Sequence, residues 1–155
     1  VGEKPVQRRR AVAIGKLVCQ PATIRALQRK ALPKGDVLTV AQIAGIQAAK
    51  QTPGLIPLCH PISLDRVAIH TRLRPDEYAV EVYAVAEINA RTGVEMEALC
   101  GLNIALLTIW DLTKPINAAL EITGIKLLYK SGGKRGVWTH PDGLPAAAQA
   151  ILDQH

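Results

Sequence analysis

Phenylalanine is absent from this 155-residue chain, and its aromatic side chains are Trp110, Trp138, Tyr78, Tyr83 and Tyr129. A core without Phe must close-pack Ala, Val, Ile and Leu, and nearly half the residues (48%) are hydrophobic. The same scarcity counts against single-stranded RNA recognition on a sheet, which stacks bases on aromatic rings. Cysteine is sparse too: Cys19, Cys59 and Cys100 are odd in number, widely spaced and without a Cys-x-x-Cys pair. That pattern argues against both a disulfide framework and a structural zinc site, and is read as reduced thiols. Long apolar runs are also missing. Residues 98–110, the longest uncharged stretch of the apolar middle, fall well short of the ~20 residues a bilayer span needs. The first ten residues are basic and lack the apolar run of a secretory signal. The expectation is a cytoplasmic protein that does not associate with membranes.

Positive charge is what the chain has in excess: 19 Lys and Arg against 13 Asp and Glu, a net of +6. Clefts of that sign attract phosphates, nucleotides and nucleic acids alike. The length suits one domain, residues 1–155, able to bury roughly 70% of its unfolded surface. Residues 10–18 alternate loosely and are β-branched, which predicts a strand. An amphipathic stretch over 24–32 ends at Pro33, and Asp36 is placed to cap a helix running to about Lys50. Two prolines stiffen residues 55–61, and strands over 62–72 and 79–88 flank the hairpin turn at 74–77. A helix over 94–112 is apolar nearly all round from 98 to 110, which predicts cover from several sides and therefore an oligomer. A last strand, 122–128, leads to a flexible basic loop over 130–136. Residues 1–9 read as a flexible basic arm and 137–155 as a peripheral tail. The order β-α-β-β-α-β matches the ferredoxin-like α+β plan, an antiparallel sheet with helices on one face.

Several side chains in this frame suit acid/base or phosphate chemistry. Asp111 and Lys114 are three apart and share a helix face, so the carboxylate can orient an ammonium that works as acid, base or phosphate clamp; the bland alternative is a surface ion pair. Glu95 and Glu97 are two apart, so at most one faces a given pocket, and both also suit a helix start. His60, stiffened between Cys59 and Pro61, is an acid, base or hydrogen-bond partner. Adjacent Cys59 and His60 are poorly placed to share a tetrahedral metal, and no metal or cofactor site is expected. The 130–136 loop has glycines and cations that can surround a phosphate, but not the order of a Walker A motif.

Four segments taken together resemble one family: Lys34-Gly35-Asp36-Val37 through Ala48-Ala49-Lys50, Leu55-Ile56-Pro57-Leu58-Cys59-His60-Pro61, Thr92-Gly93-Val94-Glu95-Met96-Glu97-Ala98-Leu99, and Lys130-Ser131-Gly132-Gly133-Lys134. They are similar to molybdenum cofactor biosynthesis protein C, the cyclic pyranopterin monophosphate synthase family. The resemblance implies a ferredoxin-like subunit, a dimer with an interfacial active site, and three dimers in a hexamer. It implies the substrate 3′,8-cyclo-7,8-dihydro-GTP and the products cyclic pyranopterin monophosphate and pyrophosphate, with any Mg²⁺ arriving on the triphosphate. By motif it implies Lys114, Asp111, Lys50 and His60 as catalytic residues. Cys59, His60, Glu95, Met96, Glu97, Lys134 and Arg9 are implied to bind substrate. Departures from the family pattern are Gln51, Arg91, Trp110 and Pro115, the last biasing Lys114 away from helix. The competing readings are a non-catalytic nucleotide- or RNA-binding module, which would bind random oligonucleotides, and a structural oligomer, which nucleotides would not stabilise.

Overall fold

Twelve residues, Gln7–Val18, form the first strand, β1, and it is longer at its start than the charge pattern suggests. Arg8 and Arg10 both reach Glu87, at 3.1 and 3.0 Å, and Arg9 donates to backbone carbonyls, so the basic run belongs to the sheet rather than to a solvated arm. The computed structural model describes residues 5–30, 32 and 35–154; residues 1–4 of the expected arm, the helix stop at Pro33 and Lys34 of the following turn lie outside them.

After β1 come α1 (Pro21–Arg29), α2 (Val37–Lys50), α3 (Thr52–Leu55), β2 (Arg66–Arg74), β3 (Ala79–Ala90), α4 (Glu95–Thr113), β4 (Glu121–Ser131), β5 (Trp138–Thr139) and α5 (Ala146–Asp153). The sheet order is β2-β3-β1-β4-β5 with every pair antiparallel. This is the ferredoxin-like α+β plan with a short strand added at one edge. Pro21 at the first turn starts α1 earlier than its apolar spacing suggests, and Lys30 ends it in the left-handed conformation at φ 53°. Asp36 caps α2 as expected, accepting from the Thr39 amide at 3.3 Å and from its hydroxyl at 2.9 Å. At the hairpin, the Glu77 amide donates to the Arg74 carbonyl at 3.0 Å.

The main core lies between the sheet and α2 and α4, where Ala11, Ala13, Leu17, Val80, Val82 and Ala84 meet Ala41, Ala98, Leu102, Ala105 and Leu106. Glycine sets how closely the two helices cross: a methyl on Gly45 would stand 2.9 Å from the Gly101 carbonyl oxygen. By length and composition α4 could cross a membrane, yet its Leu102, Ala105, Leu106 and Ile109 are fully buried in the core. Its other side is open: Met96 and Leu107 are exposed, as are Val40 and Ile43 of α2.

The segment expected as a peripheral tail is instead part of the packed structure. Residues 138–139 pair with β4, and Ala148, Ile151 and Leu152 of α5 cover Val12, Ile14, Tyr83, Val85 and Leu128 on the outer sheet face. Arg10 fastens the end of this helix by donating to the Leu152 carbonyl at 3.0 Å. Full burial of an Ile or Leu contributes about 1.5–3 kcal/mol, which explains why a short Ala-rich helix holds its place.

Candidate active site

Three structural features meet where β1 and β4 run out beside the start of α4. Arg9 is buried, its Nε donating to the Ala90 carbonyl at 3.1 Å and an η nitrogen to that of Arg91 at 3.2 Å. Over it folds the 132–136 loop, shaped by Gly132, Gly133 and Gly136 at φ 92°, 85° and 65°. Side chains are excluded there sterically as well: a methyl on Gly132 would lie 2.7 Å from the Arg8 carbonyl oxygen, and one on Gly133 2.9 Å from the Arg9 guanidinium. Sequence composition suggests a flexible basic loop; the structure gives a turn seated on an arginine.

Between this turn and α4 lies a cavity of ≈ 450 Å³. Arg9, Lys130, Lys134 and Arg135 bring four cations to it, with Glu95 as the carboxylate among its lining residues. Arg9, Gly133 and Lys134 also line an adjoining hollow of ≈ 520 Å³. Thr92, Gly93 and Glu95 bring the N-terminal end of α4 to this cavity, where the helix dipole favours an anion. Glu95 lies against Gly93, whose missing side chain leaves it room. The arrangement can take a chain of phosphates and set a carboxylate at its side.

His60 lines a neighbouring hollow of ≈ 370 Å³ with Arg91 and Thr92, and Thr92 is shared with the cationic cavity. Next to His60, the Cys59 thiol donates to Glu97 Oε2 at 3.3 Å, and Glu97 is only 2% exposed. Burial, then the hydrogen bond and charge of Glu97, push the Cys59 thiol up to about 11, so it stays protonated and acts as a donor rather than a nucleophile. Glu95 and Glu97 face different ways, as their spacing requires. Met96 faces neither; it lines an apolar groove of ≈ 270 Å³ with Leu55, Leu99 and Ile104 on the open side of α4.

Asp111 and Lys114 are paired at 2.8 Å, and both are exposed. Pro115 does not move Lys114 out of the helical region: the helix stops at Thr113, but Lys114 keeps φ −56° and ψ −30°. Sixteen residues separate Glu95 from Asp111 on a straight helix, a distance of about 24 Å at 1.5 Å per residue. One subunit therefore does not bring the lysine–aspartate pair to the cationic cavity. Lys50 stands exposed at the C-terminal end of α2. Arg9, Glu95 and Lys134 come together as the sequence suggests, and Lys130, Arg135 and Trp138 are additions. Lys130 and Arg135 were legible as loop cations; Trp138 reaches the cavity only through the pairing of β5 with β4. Among the described residues no group of three His, Cys, Asp or Glu side chains converges as a metal site.

The MoaC family model matches residues 1–133. A cyclic pyranopterin monophosphate synthase of Rhodospirillum rubrum is 48% identical over 139 residues, covering 90% of this chain and 84% of the relative. That of Chloroflexus aggregans is 46% identical over 138 residues, 89% of this chain and 84% of the relative. That of Thermomicrobium roseum is 43% identical over 142 residues, 92% and 86%. At this identity and coverage, and with the α+β fold in place, the chain belongs to the MoaC family.

Proposed function

We propose that this chain converts 3′,8-cyclo-7,8-dihydro-GTP to cyclic pyranopterin monophosphate and pyrophosphate, as a cytoplasmic lyase of molybdenum cofactor biosynthesis. The observation that carries the reading is the cavity where Arg9, Lys130, Lys134 and Arg135 surround a space beside Glu95. A triphosphate brings about four negative charges, and cations preset around it lower the cost of holding it and of developing charge on departing pyrophosphate. The chemistry opens the purine-derived ring, closes a pterin, and lets a sugar hydroxyl attack the α-phosphorus as the bond to pyrophosphate breaks. Each stage moves protons, which suits a lysine oriented by a carboxylate.

Lys114 is the principal acid/base in this reading, with Asp111 holding its ammonium; an exposed ion pair is worth little to stability, so Lys114 can turn to substrate at small cost. Lys50 and His60 assist proton transfer or hold phosphates, and Cys59, Met96 and Glu97 border the substrate. Because Asp111 and Lys114 sit at the far end of α4 from the cavity, a second subunit supplies them. The exposed apolar side of α2 and α4, with Val40, Ile43, Met96 and Leu107, is the surface that such a dimer covers, and three dimers make a hexamer. Any Mg²⁺ arrives with the triphosphate.

An RNA-binding sheet has less support. Tyr83 is 1% exposed with its hydroxyl donating to Glu81, and α5 lies over the face that would stack bases. The test of the catalytic reading is a single-turnover assay with 3′,8-cyclo-7,8-dihydro-GTP that follows pterin and pyrophosphate, with light scattering as the check on assembly. The parent forms both products and Lys114→Ala forms neither while assembling normally. Near-normal turnover by Lys114→Ala removes that residue from the mechanism.

A further inference from the structure

Trp138 is the aromatic side chain lining the cationic cavity, and it lies beyond residue 133, where the family match stops. Nothing in the acid/base or phosphate chemistry uses it. It belongs to β5, a strand of two residues, and pairs with Lys130, so indole and ammonium project from neighbouring positions at the cavity edge. It is 38% exposed, so part of the indole is open to a ligand.

The indole is also held in place. His140 meets it edge-to-face, ring centroids 6.2 Å apart and planes at 80°. His140 is itself fixed, its amide donating to the Leu128 carbonyl at 2.9 Å and its Nδ1 accepting from the Asp142 amide at 3.0 Å. Asp142 is bonded in turn to Lys126 at 3.1 Å. Further on, α5 anchors the segment to the outer sheet face, with Arg10 on the Leu152 carbonyl. A flat apolar surface so supported binds a flat partner with little loss of rotamer freedom.

We infer that Trp138 is the ring-binding wall of this cavity: its indole stacks on the purine-derived heterocycle of the nucleotide while Arg9, Lys130 and Lys134 take the phosphates. The inference rests on the reading of this cavity as the nucleotide site. It gives the C-terminal segment a positioning role, since α5 and the His140 contact hold the indole against the ligand. Trp138 transfers no proton and contributes through ground-state binding and orientation.

The two halves of the ligand are separable by experiment. Calorimetric titration of the parent, Trp138→Phe and Trp138→Ala is run with GTP as a purine triphosphate and with inorganic tripolyphosphate, which has no ring. Trp138→Ala weakens GTP roughly 5- to 150-fold, the range measured for one stacked base, and leaves tripolyphosphate affinity within about twofold. Trp138→Phe retains much of the GTP affinity, because a ring remains. GTP quenches indole emission in the parent, and Trp138→Phe loses that quench. Unchanged GTP affinity in Trp138→Ala overturns the inference, as does failure of the parent to bind GTP. Equal weakening of both ligands also overturns it, because Trp138 would then only support the loop. Substrate turnover is scored separately: turnover without the GTP contrast sinks the stacking alone, and the contrast without turnover sinks the catalytic reading alone.

Discussion

Replacing Gly132 by Ala adds two costs that a second glycine in the same turn separates. At φ 92° an L side chain is strained, by about 1–2 kcal/mol in the left-handed region. The new methyl would also stand 2.7 Å from the Arg8 carbonyl oxygen and 2.8 Å from Arg9 Cγ. Backbone on one side and a pinned arginine on the other leave little room to yield, and such overpacking costs about 1–3 kcal/mol. Gly136 has φ 65° and no atom within 4 Å of its added methyl, so Gly136→Ala bears the conformational cost alone, offset by about 0.4–1 kcal/mol of lost unfolded-chain freedom. Urea unfolding therefore places Gly132→Ala below Gly136→Ala by about 1–3 kcal/mol, or roughly 2–12 °C in Tm for a chain of this size. Tripolyphosphate affinity falls in the same order, because the cavity loses its shape when the turn lifts off Arg9. Equal stability and equal affinity in the two variants would refute the argument that the turn is seated on Arg9.

Other outcomes follow from the Cys59–Glu97 contact and from the C-terminal helix. Cys59 alkylates slowly at pH 8, its rate rising as pH climbs toward the thiol value of about 11. Glu97→Gln removes the adjacent negative charge, lowers that value and speeds site-resolved alkylation measured by mass spectrometry; slower or unchanged labelling counts against the contact. Ile151→Ala, at a site 6% exposed, costs about 2–4 kcal/mol in denaturant unfolding, whereas a loosely attached tail would show almost none.

Local chemistry made much of the fold legible in the sequence. Asp36 before an apolar-periodic run marks the start of α2 because its carboxylate satisfies an orphan amide, a matter of three residues. Likewise the 74–77 turn and the alternation after it give the β2–β3 hairpin. What escaped were partnerships across long sequence distances. Arg8, Arg9 and Arg10 look like a solvated run until Glu87 and the carbonyls of residues 90 and 91 come alongside. The Ala-rich end looks peripheral because its apolar partners, Val12, Tyr83 and Leu128, lie on three different strands. In the site, the family motifs point to Arg9, Glu95 and Lys134, and all three line the cavity. Trp138 was missed because a two-residue strand leaves no periodic signal. The separation of Lys114 from the cavity follows from helix length, which the sequence did contain.

Subunit mixing tests directly whether Lys114 reaches the cavity from a second subunit. Lys114→Ala and Lys134→Ala proteins are each assayed in single turnover with 3′,8-cyclo-7,8-dihydro-GTP, then mixed under conditions that exchange subunits and assayed again. If each site takes its cationic cavity from one subunit and Lys114 from the other, a mixed dimer contains one intact site, and random pairing restores about a quarter of parental activity. A mixture as inactive as its components, with exchange confirmed by mass spectrometry, would contradict a site shared between subunits.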